Sequence, residues 1–286
     1  MIEIYNENCF DTMLNRLDEN VVDVILTSPP YNTNRRAGLN RNLLNNNTKG
    51  YPDVRYDSAI DIMSDEQYSE FTEKLFNGFD KILKPNGCVL YNISYGTENT
   101  EGMFLAINAI LTKTNFTIAD TIIWKKKSAV PNNVSSNKLT RICEFVFVFC
   151  RKSEFDTFNC NKQVKTHMPS GQNVYENVFN YVEAPNNNGV CPYNKATYSV
   201  ELCEWLLSLS MLFQTVQFMT LSWEVVLLLL LVRRMILIAM VLNYQPNNVN
   251  LPMNVLKLCQ LIHPNLNTSI IQENYFSKNS TNCLDI

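Results

Sequence analysis

Val21-Val22-Asp23-Val24-Ile25-Leu26-Thr27-Ser28-Pro29-Pro30-Tyr31-Asn32 is the stretch that decides the fold class. Its first six residues are mostly β-branched and apolar, which predicts a short strand buried on both faces, as in a parallel sheet. Pro29 and Pro30 end it. Each proline lacks a backbone donor and fixes φ, so nearby carbonyls stand out as rigid acceptors. Ser28 adds an acceptor side chain and Tyr31 an aromatic face. Together they suit a planar amine: Ser28 Oγ and the Pro29 carbonyl accept its N–H bonds while Tyr31 stacks on its ring. An amine held so presents its lone pair for attack on a methyl group. A bare Ser-Pro-Pro-Tyr is more often an ordinary loop. The buried strand before it and the basic loop after it favour a site.

Outward from this segment, strands and helices alternate. Residues 33–58 are polar, Asn-rich and basic, which reads as a loop. Ser64, with Glu66 and Gln67 behind it, predicts the N-cap of an amphipathic helix running toward Leu83, with Phe71, Leu75, Phe79 and Ile82 inward. Lys84-Pro85-Asn86-Gly87 reads as a turn, and residues 88–93 as the next strand. A helix over 101–111, strands over 117–124 and 144–149, a polar stretch over 151–193 and a helix over 199–209 follow. Such β-α-β alternation predicts an α/β domain around a parallel sheet.

The chain has 286 residues, 24 Lys+Arg against 27 Asp+Glu and a net charge of -3, which excludes a globally basic nucleic-acid binder but not a basic face. Nine cysteines form no Cys-x-x-Cys pair, and only His167 and His263 accompany them, which argues against a metal site and for a reducing, cytoplasmic compartment. Glu3 and Glu7 stand where a signal peptide would be apolar.

Thr27 to Asn32 resembles the catalytic motif of the DNA amino-methyltransferases: Ser, Asp or Asn, then Pro-Pro, then an aromatic residue. That family methylates cytosine N4 or adenine N6 with S-adenosylmethionine. The resemblance covers residues 1–209 in the order of the permuted group that puts its catalytic half first. It implies a Rossmann-like methyltransferase sheet, with Ser28, Pro29, Pro30 and Tyr31 as catalytic residues and a lean toward cytosine N4. Ile4 to Phe10 resembles the opening strand that contacts the cofactor, which implies cofactor roles for Asn8, Cys9 and Phe10; Asn8 stands where the group usually has Asp. Asn194-Lys195-Ala196-Thr197 and Tyr198 resemble the segment at the cofactor's methionine end. Trp124-Lys125, Pro131, Arg141 and Glu144 resemble later motifs beside the target base.

Double-stranded DNA is the implied partner, with a cognate restriction endonuclease as a second. Arg35 and Arg36 in one basic run, and Lys125, Lys126, Lys127 and Arg141 in another, flank the proposed site and suit phosphate contact. A duplex base must flip out to reach Tyr31. Residues 151–193 are the expected target-recognition region.

The tail reads differently. No glycine follows Gly189, and from Trp205 on only Glu224, Arg233, Arg234, Lys257, Glu273, Lys278 and Asp285 are charged. The family would next supply a strand and an Asp-Pro-Phe-x-Gly-x-Gly-Thr cofactor loop, and this chain has neither residue pattern. The apolar runs Val225–Val232 and Met235–Leu242 are eight residues each around Arg233-Arg234, too short for a membrane span of about 20. Back-translation accounts for the tail. Joining the third base of each codon to the first two of the next, Met219-Thr220 must give Asp, Trp223-Glu224 must give Gly, Met240-Val241 must give Gly and Asn243-Tyr244 must give Leu. The same shifted frame permits Tyr-Asp-Pro-Phe-Met-Gly-Ser-Gly-Thr-Thr-Ala and, further on, Gly-Ser-Glu-Leu, with its acidic residue about 20 positions after the glycine loop. A frameshift near 210–214 produces this, whether as a lesion in the gene or an error in its sequence. The expectation is a catalytic domain over 1–209, an aberrant tail over 210–286, an incomplete cofactor half without its first strand, and a chain inactive as written. The rival is a non-catalytic DNA-binding remnant.

Overall fold

A computed structural model describes residues 2–32, 63–96, 99–129, 131, 136–159, 162–186, 198–210, 217–220, 236–242 and 268–272. Strand β1 (Ile2–Glu7) leads into α1 (Cys9–Asp11), capped by Asn8 Oδ1, which accepts the Phe10 N–H at 3.0 Å; a π turn over Thr12–Arg16 continues it. Strand β2 (Val22–Thr27) is the predicted buried strand, with Val22, Val24, Ile25 and Leu26 all shut off from solvent.

Helix α2 (Asp65–Ile82) starts at the predicted cap: Ser64 Oγ accepts the Gln67 N–H at 3.2 Å and Gln67 Oε1 accepts the Ser64 N–H at 3.0 Å. The reciprocal pair satisfies two donors that a helix start otherwise leaves open. Strand β3 (Leu83–Ile93) begins where α2 ends. The expected turn at 84–87 is instead a bulge inside β3: Val22 pairs with Leu83 and Val24 with Cys88, so extra residues are taken up there. Asn86 at φ 58° takes the left-handed step the bulge needs. Helix α3 (Gly102–Lys113) and strands β4 (Phe116–Lys126) and β5 (Cys143–Arg151) follow the expected order and run slightly longer.

The polar stretch holds strands that its composition hides: a hairpin of β6 (Val164–His167) and β7 (Asn173–Tyr175), and β8 (Tyr181–Ala184). Helix α4 (Val200–Ser210) then lays Leu202, Cys203, Leu206 and Leu207 against Leu26, Leu90, Trp124 and Val146 on one sheet face. On the other face α2 and α3 cover an aromatic core centred on Phe76, which meets Phe79, Tyr91, Phe116 and Phe149 edge-on at 5.1–5.3 Å between centroids.

The tail adds β9 (Gln217–Thr220), β10 (Ile236–Leu242) and β11 (Thr268–Gln272). Among the described residues the sheet has nine strands in the order β11-β1-β10-β9-β2-β3-β5-β4-β8, parallel except at β3–β5 and β5–β4. The α/β class and the Rossmann-like sheet are as expected. The expectation that the first cofactor strand is missing is corrected: Phe218 and Met219 pair with Val24 and Ile25 of β2, and Met219 is fully buried. A parallel slot asks for backbone hydrogen bonds and an inward apolar side chain, and Met219 supplies that side chain. The cofactor half remains incomplete in its residues, because nothing after Gly189 is a glycine.

Chain order runs outward from β2 to β3 on one side and from β9 to β10 on the other. The directions part between β9 and β2, so the crevice at their carboxyl ends is the position where open α/β sheets bind ligands.

Candidate active site

Ser28 to Asn32 leave the carboxyl end of β2 at that crevice. Three side chains hold this loop in place, two from outside it and one its own. The Tyr68 hydroxyl, on α2, donates to the Pro30 carbonyl at 2.7 Å. Asn32 is buried at φ 51° and clasps Met63: its Oδ1 accepts the Met63 N–H at 2.9 Å and its Nδ2 donates to the Met63 carbonyl at 3.0 Å. Asn99 Nδ2 donates to the Asn32 carbonyl at 2.9 Å, while Asn99 Oδ1 accepts the Gly102 N–H at the head of α3. Asn tolerates the left-handed region better than other side chains, which suits it to this corner. With the Pro30 carbonyl taken by Tyr68, no donor among the described residues reaches the Pro29 carbonyl, the acceptor assigned from the sequence.

Ser28 Oγ donates to Tyr31 Oη at 3.0 Å, and Tyr31 Oη lies 3.3 Å from both Asn92 Oδ1 and Glu144 Oε2. Asn92 comes from β3 and Glu144 from β5; Glu144 is ion-paired through its other oxygen to Lys126 of β4, both side chains largely shielded from solvent. Asn92 Nδ2 donates to the Phe145 carbonyl at 3.0 Å. The sequence reading assigned no role to Asn92 or Tyr68. Asn92 was signalled all the same: an amide inside the apolar run of residues 88–93 must find a partner when buried. Thr27 Oγ1, one residue before Ser28, is buried with no partner among the described residues.

The cations divide. Lys126 turns to Glu144 and lies over the Trp124 ring at 5.3 Å. Lys125 pairs with Glu183 at 2.8 Å and Lys127 with Glu201 at 3.1 Å, both exposed. The shared hydrogen bond raises the Lys125 pKa and lowers that of Glu183. Pairs this open are worth little and yield readily to another anion. Arg141 donates to the Tyr95 carbonyl and stacks over its ring at 5.4 Å. Arg35 and Arg36 lie outside the described residues.

At the proposed cofactor end, Asn8 spends its Oδ1 as a helix cap, and Phe10 has Lys74 Nζ over its ring at 4.9 Å and Phe71 edge-on at 5.8 Å. Cys9 is buried, and that burial pushes its thiol up to about 12, so it is a protonated packing group and not a nucleophile. Asn194, Lys195, Ala196 and Thr197 lie outside the described residues. The described groups at this end are a capped amide and a ring beneath a lysine, and the sequence that follows β9, Leu221-Ser222-Trp223-Glu224-Val225-Val226, contains no glycine.

A family profile described as DNA methylase, of the N6/N4 methyltransferases, matches residues 22–211. The chain belongs to the DNA amino-methyltransferase family. Solved structures of the same fold include PvuII DNA methyltransferase (cytosine-N4-specific), at TM-score 0.60 and 12% identity over 93% of this chain and 94% of that one. A putative DNA modification methylase of Thermus thermophilus, complexed with S-adenosyl-L-methionine, gives TM-score 0.56 and 11% identity over 95% and 98%. The M1.HpyAVI-SAM complex gives 0.51 and 15% over 93% and 100%. Among the described residues of this methyltransferase-family chain, no helix is long and apolar enough to cross a membrane.

Proposed function

We propose that the lineage of this chain is a site-specific DNA methyltransferase acting on an exocyclic amine, cytosine N4 in preference to adenine N6, and that the 286-residue chain as written does not catalyse the transfer. S-adenosylmethionine is the cofactor expected of the family. One observation carries the reading: Ser28 is hydrogen-bonded to Tyr31 at the sheet's switch point, and the Pro30 carbonyl is held by Tyr68. There Ser28 Oγ and the Pro29 carbonyl accept the two amine protons, and the Tyr31 ring supports the base. No covalent enzyme intermediate is needed, in keeping with the burial that raises the thiols of Cys9, Cys88, Cys150 and Cys203. Arg35, Arg36, Lys125, Lys126, Lys127 and Arg141 are proposed to meet phosphates. The region 151–193 is proposed for target recognition, the setting for cytoplasmic restriction-modification, and the division for 1–209 against 210–286.

The frameshift belongs to the same proposal, and strand register supports it. The forced Asp spans Met219-Thr220, and β9 ends at Thr220. The acidic residue of the shifted frame spans Leu242-Asn243, and β10 ends at Leu242. Both would fall at carboxyl ends of neighbouring parallel strands, beside Asn8 at the end of β1, where a nucleotide-binding half needs them. The rival, a DNA-binding remnant, is favoured by the lost glycines alone.

The test uses the chain as written beside a frame-corrected chain, with radiolabelled S-adenosylmethionine and unmethylated DNA of mixed sequence. The corrected chain should transfer methyl; product analysis separates N4-methylcytosine from N6-methyladenine. Pro29→Ala and Tyr31→Ala should cripple it, the lost stacking alone costing about 1–3 kcal/mol. Calorimetry should find no cofactor binding by the chain as written. Micromolar binding there, or full activity in Tyr31→Ala, sinks the corresponding half of the proposal.

A further inference from the structure

Tyr31 Oη carries one proton, and the described groups near it include Ser28 Oγ at 3.0 Å and Asn92 Oδ1 and Glu144 Oε2 at 3.3 Å. Two of these can only accept. Asn92 has its amide turned by the bond from Nδ2 to the Phe145 carbonyl, which leaves Oδ1 toward the phenol. Glu144 is paired with the Lys126 ammonium and offers Tyr31 a carboxylate oxygen. The phenol must therefore donate toward β3 and β5, and its oxygen must accept from Ser28. Ser28's only proton is then spent on Tyr31. Toward the crevice Ser28 Oγ shows lone pairs alone, and no donor among the described residues reaches it.

We infer that Asn92 and Glu144, acting through the Tyr31 hydroxyl, set the polarity of Ser28 and so make the pocket select an amino base over a keto base. This rests on the reading that the pocket receives an exocyclic amine, and it names the device that enforces it. An amino group finds two acceptors, Ser28 Oγ and the Pro29 carbonyl. A keto oxygen at the same place meets acceptors only and is left unpaired as it is desolvated. Asn92 and Glu144 are positioning residues: they touch the tyrosine and not the base. The Tyr31 side chain has two separable parts, a ring face that takes any base and a hydroxyl that transmits polarity.

Fluorescence anisotropy of the full 286-residue chain reads this without cofactor. The probes are labelled oligo(dC) against oligo(dU), and oligo(dA) against oligo(dI). Within each pair the backbone is shared and an amino group is exchanged for a keto group. The expected Kd ratio favours the amino partner about tenfold in at least one pair. Tyr31→Phe keeps the ring but offers Ser28's proton no acceptor, and should bring that ratio near one. The double variant Asn92→Leu with Glu144→Leu should do the same. A ratio is the readout because a loosened fold weakens both partners alike. A wild-type ratio near one, or a ratio untouched in Tyr31→Phe, overturns the inference. A ratio lost in Tyr31→Phe but kept in the double variant overturns the roles of Asn92 and Glu144. Methyl transfer is not measured here, so failure of this test and failure of the methyltransferase reading stay distinct.

Discussion

The hydroxyl of Tyr68 donates to the carbonyl of Pro30 at 2.7 Å, tying the first turns of α2 to the loop that leaves β2. Tyr68 is fully buried, so this bond has no water to replace it. It fixes which of the two proline carbonyls is occupied within the fold.

Tyr68→Phe should therefore leave the Pro30 carbonyl unpaired at a cost of about 1–3 kcal/mol. Urea denaturation measures the loss. In a frame-corrected chain methyl transfer should fall further than stability does, because the loop loses its anchor. Unchanged stability and activity would remove Tyr68 from the site.

Ser64→Ala removes the side-chain half of the capping box that starts α2 and leaves Gln67 Oε1 its bond from the backbone N–H of residue 64. A loss of about 1 kcal/mol is expected, measured as a lower denaturation midpoint with unchanged m-value. Ser64→Asp should recover most of it, since Asp also caps.

Thr27→Val removes a buried hydroxyl that has no partner among the described residues and keeps the side chain's shape and β-branching. The melting temperature should hold or rise. A clear drop would mean that Thr27 Oγ1 has a partner in solution.

Cys9 and Cys88 should resist iodoacetamide at pH 8 until the chain unfolds. Burial raises both thiols to about 12 in the fold, against about 8.5 for a thiol in an unfolded chain. Folding favours the protonated form, so this contribution is fully present below the unfolded pKa and is lost as pH climbs toward 12. Stability should decline across that alkaline window, and mass spectrometry of the native chain should find both sites unlabelled. Rapid native labelling of Cys9 would contradict its packing beneath α2.

Much was legible in the sequence because the decisive signals are local. The strand over 22–27 announces itself by β-branching, Ser64 and Gln67 by their spacing, and the loss of glycine after Gly189 by composition. Each depends on residues a few positions apart, and so does the Ser28 to Tyr31 motif. The hairpin within 151–193 was not legible because its side chains are mostly exposed, and β8 alternates exposed with buried residues over only four positions, too few to stand out from the polar stretch around it. The bulge at 84–87 looked like a turn, since Pro-Asn-Gly serves both and only pairing with β2 tells them apart.

The sequence by itself determined the strand-loop that carries Ser28, Pro29 and Tyr31, and the absence of a glycine loop that could cradle a cofactor. Tertiary structure alone decided what surrounds them. Asn92 and Glu144 meet at the Tyr31 phenol, and Lys126 meets Glu144, only because β3, β5 and β4 are neighbours in the sheet. Lys126 sits between two other lysines in sequence, yet it faces Glu144 while Lys125 and Lys127 face Glu183 and Glu201. Successive side chains on a strand point to opposite faces, so neighbours in sequence part company in space, and long-range pairing chooses their partners.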